Sequence, residues 1–113
     1  MARVLIVDDE PCILRALGRE LRRLGHEVVA ASGSDDAIRG GRFDCAILDL
    51  ELGGETGVDC ARRLERRAGR VRMLFHSGTS DRVLLGRAAP FGRVVSKGDL
   101  DSVRAFVAAG DAA

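Results

Sequence analysis

The chain has 113 residues, 46% of them hydrophobic and 31% charged, with eighteen basic against seventeen acidic side chains. That is the size of one ordinary globular domain, long enough to bury its own core and too short for a second one, such as a separate DNA-binding domain. The balanced charge argues against a polyanion binder, and apolar runs of only a few residues exclude a membrane span, so a cytoplasmic protein is expected.

Strands are predicted over 3–7 (RVLIV), 26–31 (HEVVAA), 43–48 (FDCAIL), 71–76 (VRMLFH) and 93–96 (RVVS), each short and rich in β-branched residues. Leu14, Leu17, Leu21 and Leu24 recur at helical spacing before Gly25, which marks an amphipathic first helix and its end. A second helix is expected from Ser34, with that side chain as its cap, to Gly40-Gly41. Val58, Ala61 and Leu64 mark a third, with Arg62, Arg63, Arg66 and Arg67 projecting outward. Residues 79–92 contain Gly86, Pro90 and Gly92 and predict a short or irregular fourth helix. The last runs over 101–107 around Leu100, Val103, Phe106 and Val107, leaving 110–113 as a small tail after a 1–109 domain. Regular alternation of strand and helix points to an α/β fold, a parallel sheet with helices on both faces.

Cys12, Cys45 and Cys60 are odd in number and form no C-x-x-C pair, so they read as small apolar residues facing a core. His26 and His76 stand alone and receive no role. Seventeen of the basic residues are arginine and Lys97 is the only lysine. A mobile ammonium differs chemically from a planar guanidinium, so Lys97 draws notice.

Ligands of open parallel sheets bind at the carboxyl ends of the strands. There this chain has Asp8, Asp9 and Glu10, then Asp49, then Ser77-Gly78-Thr79, then Lys97. Glu10 taken alone reads as a cap of the following helix. Three carboxylates brought together repel and raise one another's pKa unless a cation intervenes, and Mg²⁺ with its oxygen ligands and retained waters would resolve the conflict. Lys97, the Ser77 hydroxyl and the Gly78 N–H complete a cradle for a phosphoryl group, and the central carboxylate can itself act as nucleophile.

The segments VLIVDD (4–9), ILDLELGGETG (47–57), FHSG (75–78) and VVSK (94–97) resemble the receiver domain of two-component response regulators, here as a single domain, over nearly the whole chain. The resemblance implies a flavodoxin-like (βα)5 fold with strand order 2-1-3-4-5. It implies that Asp49 is the phosphoacceptor, that Asp8, Asp9 and Asp49 hold Mg²⁺ with the backbone carbonyl of Glu51, and that Ser77 and Lys97 contact the phosphoryl group. Gly57 matches the glycine where the loop enters the third helix. A sensor histidine kinase or a histidine phosphotransfer protein is the implied donor, docking near Cys12, Ile13 and Ala16, and output passes to a downstream protein. Glu51 and Thr79 occupy positions that tune the lifetime of the acyl-phosphate. Three departures stand out. Gly98 replaces the usual proline after the lysine, Val94 replaces the usual aromatic, and Leu52-Gly53-Gly54 replaces a methionine-proline pair, which predicts a mobile loop and a non-standard output.

Two other readings remain. One is a receiver-like interaction module that no longer depends on phosphorylation. The other is a small phosphatase of the haloacid-dehalogenase kind, whose nucleophile would follow the first strand rather than the third. The arginine rows read as a solvated face, since no aromatic stacking residues accompany them, and direct DNA binding is not expected.

Overall fold

The computed structural model describes residues 1–111. Five strands alternate with five helices: β1 (Arg3–Val7), α1 (Pro11–Arg23), β2 (Glu27–Ala31), α2 (Ser34–Arg39), β3 (Cys45–Leu48), α3 (Gly57–Ala68), β4 (Arg72–Ser77), α4 (Arg82–Ala88), β5 (Gly92–Ser96) and α5 (Leu100–Asp111). The strands pair in parallel in the order β2-β1-β3-β4-β5, as expected. α5 continues through Gly110 and Asp111, where a tail was expected; the remainder of that tail, 112–113, lies outside the described residues.

Side chains alternate across each strand, so the sheet carries two cores. Leu5, Val7, Ala46, Leu48, Met73 and Phe75 face α2, α3 and α4, whereas Val4, Ile6, Cys45, Ile47, Leu74 and Val95 face α1 and α5. The central strands β1 and β3 are buried on both sides, which is why they read as unbroken apolar runs. α4 is short, seven residues, and starts where Asp81 Oδ1 accepts the N–H groups of Val83 and Leu84.

Two local expectations need correction. Ser34 does not cap α2: Gly33 holds the cap position, and the Ser34 hydroxyl instead accepts a hydrogen bond from Arg63 of α3. The Ser34 N–H is satisfied from outside the helix, by Glu55 Oε2 at 3.1 Å. The arginines of α3 are likewise not merely solvated, because Arg63 also pairs with Asp35 at 2.7 Å and Arg67 donates to the Ile38 carbonyl at 2.9 Å. Both contacts tie α3 to α2. Cys45 and Cys60 are buried as expected, but Cys12 is exposed on α1.

Candidate functional site

The β1–β3 register, Val7 beside Leu48, brings the residues that follow these strands together at one sheet edge. Asp8 and Asp49 therefore emerge side by side, 1% and 4% exposed. The β4–β5 register ends with Ser77 beside Ser96, which delivers Ser77 and Lys97 to the same edge. Asp9, Glu10, Asp49, Glu51, Ser77 and Lys97 line one open pocket.

Lys97 Nζ lies 2.8 Å from Glu10 Oε1, 3.0 Å from Asp49 Oδ2 and 3.3 Å from Asp8 Oδ2. Burial works against its charge, but the bonds to Glu10 and Asp49 prevail and hold the ammonium above the usual lysine range. Burial pushes the Asp8 carboxyl up, the Glu10 N–H bond pulls it down, and the neighbouring Asp49 charge adds to the rise, for a net upward shift. Asp8 Oδ1 accepts the Glu10 N–H at 2.8 Å. Asp8 Oδ2, although near Lys97, accepts no hydrogen bond and is sealed from solvent. A buried carboxylate oxygen with no hydrogen-bonding partner is costly on its own. It suits a cation ligand, and ligand atoms of Asp8, Asp9, Glu10 and Asp49 all lie within 4.8 Å of one another. An all-oxygen, acid-rich set of this kind fits a hard divalent ion.

Asp49 is held from two sides, by the Glu51 N–H on Oδ1 at 3.3 Å and by Lys97 on Oδ2. Behind it, Gly57 opens α3 and packs against the Asp49 backbone so closely that a Cβ there would lie 2.2 Å from the Asp49 carbonyl oxygen. Its N–H donates to the Leu50 carbonyl at 2.9 Å, and a Thr56–Asp59 capping box fixes the helix start. The loop after Asp49 is organised despite its glycines: the Leu52 N–H donates to the Glu55 carbonyl at 3.0 Å, and Glu51 bridges Thr56.

The structure thus brings Asp9, Asp49, Glu51, Ser77 and Lys97 to the lining of one pocket, with the buried Asp8 held against Lys97. The sequence reading missed two residues. Glu10 precedes α1 but makes no side-chain cap; its carboxylate pairs with Lys97 instead. Its position beside the Asp8-Asp9 pair was the available signal. His76, 2% exposed, accepts the Gly98 N–H on Nε2 at 2.7 Å. Burial and the Lys97 charge push its imidazole below the usual histidine range. Thr79 donates its N–H to the Ser77 Oγ at 3.2 Å, and Val94 is half-buried against the α4 side of the sheet.

The chain is similar to known proteins. A family profile described as "Response regulator receiver domain" matches residues 4–97. The transcriptional regulatory protein KdpE of Mycobacterium tuberculosis is 44% identical over 62 residues, covering 52% of this chain and 27% of that protein. Protein PilH of Pseudomonas aeruginosa is 34% identical over 71 residues, covering 60% of this chain and 59% of that protein. The chain spans about a sixth to a third of the length of the transcriptional regulators it matches. Among solved structures, response regulator TrrA from Thermotoga maritima, in complex with Mg(2+)-BeF, superposes with a TM-score of 0.79 at 27% identity, covering 97% of this chain and 99% of that one. A CheY-like receiver protein from Methanospirillum hungatei reaches a TM-score of 0.86 at 20% identity, covering 98% of this chain and 94% of that one, a likeness of fold. Receiver domains are signalling modules that bind Mg²⁺ in an acidic pocket and interact with histidine kinases or phosphotransfer proteins. By its matched residues, its strand order and its acidic pocket, this chain belongs to the response regulator receiver domain family of two-component systems.

Proposed function

We propose that this chain is a phosphoacceptor: Asp49 takes a phosphoryl group from a phosphohistidine on a sensor histidine kinase or a histidine phosphotransfer protein, and the charged form signals through protein contacts. The observation that carries the reading is the Lys97 ammonium, 3.0 Å from Asp49 Oδ2 and 3.3 Å from Asp8 Oδ2, in a pocket lined also by Asp9 and Ser77.

Asp8, Asp9 and Asp49, with the Glu51 carbonyl, would hold Mg²⁺, which when bound neutralises the acids and the charge on the phosphoryl oxygens. An Asp49 carboxylate oxygen attacks phosphorus as the donor's P–N bond breaks. The electron pair returns to the imidazole, which takes up a proton from solvent. The Glu51 N–H and Lys97 fix the carboxylate so that it meets the donor already oriented. Lys97 then pairs with the new phosphoryl charge, and the Ser77 hydroxyl and the Gly78 N–H, both at the pocket wall, donate to its oxygens. The exposed Cys12 and Ala16 and the half-buried Ile13 lie on the first turns of α1 beside the acids, where a helical donor protein would dock. Val94 has neither the ring nor the hydroxyl to swing with Ser77, so output through a side-chain relay to α4 is not built in at that position. The TrrA complex with Mg(2+)-BeF supports the pocket chemistry in a relative at 27% identity.

Intact-mass spectrometry after incubation with a small phosphodonor and Mg²⁺ tests this. The wild type gains the mass of one phosphoryl group and Asp49→Asn gains none. No gain in the wild type overturns the reading in favour of an interaction module that works without phosphorylation.

A further inference from the structure

The side chain of Lys97 reaches its three acids only if the backbone beneath it is fixed, and the backbone beneath it ends in Gly98, at φ +93°. A glycine in that region has many unfolded alternatives and no side chain to anchor it. Four hydrogen bonds meet at the turn, one of them from the Leu100 N–H to the Gly98 carbonyl at 2.9 Å. The Lys97 N–H donates to the Ser77 carbonyl at 3.3 Å, a long bond, and the Asp99 N–H to the Ser96 carbonyl at 3.0 Å. The shortest is the Gly98 N–H to His76 Nε2 at 2.7 Å. His76 is the penultimate residue of β4, and strand alternation from Phe75 puts its ring on the α1/α5 side of the sheet. The ring is therefore set by the core, whereas the glycine it holds is exposed. A proline at 98 would carry no N–H for this bond and could not adopt the observed φ. The histidine acceptor and the glycine donor thus belong together.

We propose that His76 is the positioning residue for Lys97, clamping the β5–α5 turn through the Gly98 N–H so that the ammonium is aimed at Asp49. The role rests on the reading of Lys97 as the phosphoryl-pairing cation. Because Lys97 is the only lysine, its orientation has a readout that does not depend on phosphorylation: the rate at which its amine reacts with limiting acetic anhydride, followed by peptide mass spectrometry. Glutamine can place its amide oxygen close to where Nε2 sits, and leucine cannot accept a hydrogen bond. Losing one such bond loosens the turn, so in His76→Leu the Lys97 amine should react about fivefold faster and Asp49 should gain phosphoryl from a small donor about fivefold more slowly. His76→Gln should stay close to the wild type on both. Equal behaviour of the two variants, whether both intact or both impaired, overturns the proposal, the second result meaning that the ring only fills space. If no protein, wild type included, acquires phosphoryl, the phosphoacceptor reading fails, while the amine rates still decide the role of His76. Should His76→Leu not fold, amide hydrogen exchange on the wild type decides: a slow Gly98 N–H is required, and one exchanging at the rate of an open loop refutes the clamp.

Discussion

Among the described residues Lys97 is the one cation lining the acidic pocket, and replacing it with methionine tests whether it stabilises the metal-free protein. Its side chain is 20% exposed, those of Asp8 and Asp49 are 2% and 5% exposed, and that of Glu10 is 58% exposed. The pair with Glu10 is open to solvent and contributes little. Stranding the two buried carboxylates is the main effect, and removing one partner of a buried pair costs about 3–5 kcal/mol. Taking the lower figure, about 3 kcal/mol, and an unfolding entropy of about 2.1 cal/mol/K per residue, Lys97→Met should melt about 12 °C below the wild type in EDTA.

Two further signs follow from the same geometry. With the ammonium gone, the rise already seen at Asp8 increases. A carboxyl whose folded pKa is raised contributes stability below that pKa and loses it as pH rises, so the variant should recover part of its deficit as pH falls from 7.5 toward 5. A divalent cation should also replace the missing charge: at a hundredfold excess over its dissociation constant, Mg²⁺ adds about 2.7 kcal/mol, which nearly closes the gap. The variant should therefore gain more from Mg²⁺ than the wild type, where Lys97 competes for the same oxygens. Thermal melts in EDTA and in Mg²⁺ at the two pH values suffice. A variant that melts within about 2 °C of the wild type in EDTA, with equal Mg²⁺ shifts for both, refutes the electrostatic account.

Gly57→Ala puts a Cβ 2.2 Å from the Asp49 carbonyl oxygen and 3.0 Å from the Leu50 Cα, both backbone atoms that cannot rotate away; urea denaturation should show a loss of about 3 kcal/mol. Gly86→Ala, on the exposed part of α4 with nothing within 4 Å of the new methyl, is the matched control and should gain about 0.5–1 kcal/mol. Thiol titration of the native protein at neutral pH should find one fast-reacting group, the exposed Cys12, since Cys45 and Cys60 are buried and burial pushes the Cys60 thiol up to about 12. Alkylating Cys12, or Ile13→Glu, should block transfer from the donor protein while sparing labelling by a small donor, and equal loss of both counts against docking at α1. Exchanging Glu51 or Thr79 for alanine should change the half-life of the acyl-phosphate, followed by the decay of the labelled mass; an unchanged half-life removes their tuning role.

The parts of this molecule that could be read from its sequence are those that depend on periodicity and on strand ends. Alternation of apolar runs with helical spacing gave the layers, and acids, a hydroxyl and a lysine after successive strands gave the pocket, because a parallel sheet gathers those ends on one edge. What could not be read depends on partners far along the chain. Ser34 has the chemistry of a cap, yet Arg63 competes for its hydroxyl and Glu55, 21 residues away, takes over its N–H. Glu10 follows a strand and precedes a helix, which is the usual signature of a cap, but Lys97 lies 87 residues further on and a full positive charge outbids a backbone dipole. Gly98 shows the limit most clearly. Its departure from the expected proline is visible at once and suggests a turn left without restraint. The restraint exists on another strand, in a histidine whose buried Nε2 needs a donor that proline would lack. A substitution that deletes one constraint can thus be read correctly only together with the residue that supplies its replacement, and the pairing of the two is a property of sheet register, β4 against β5, rather than of either local sequence.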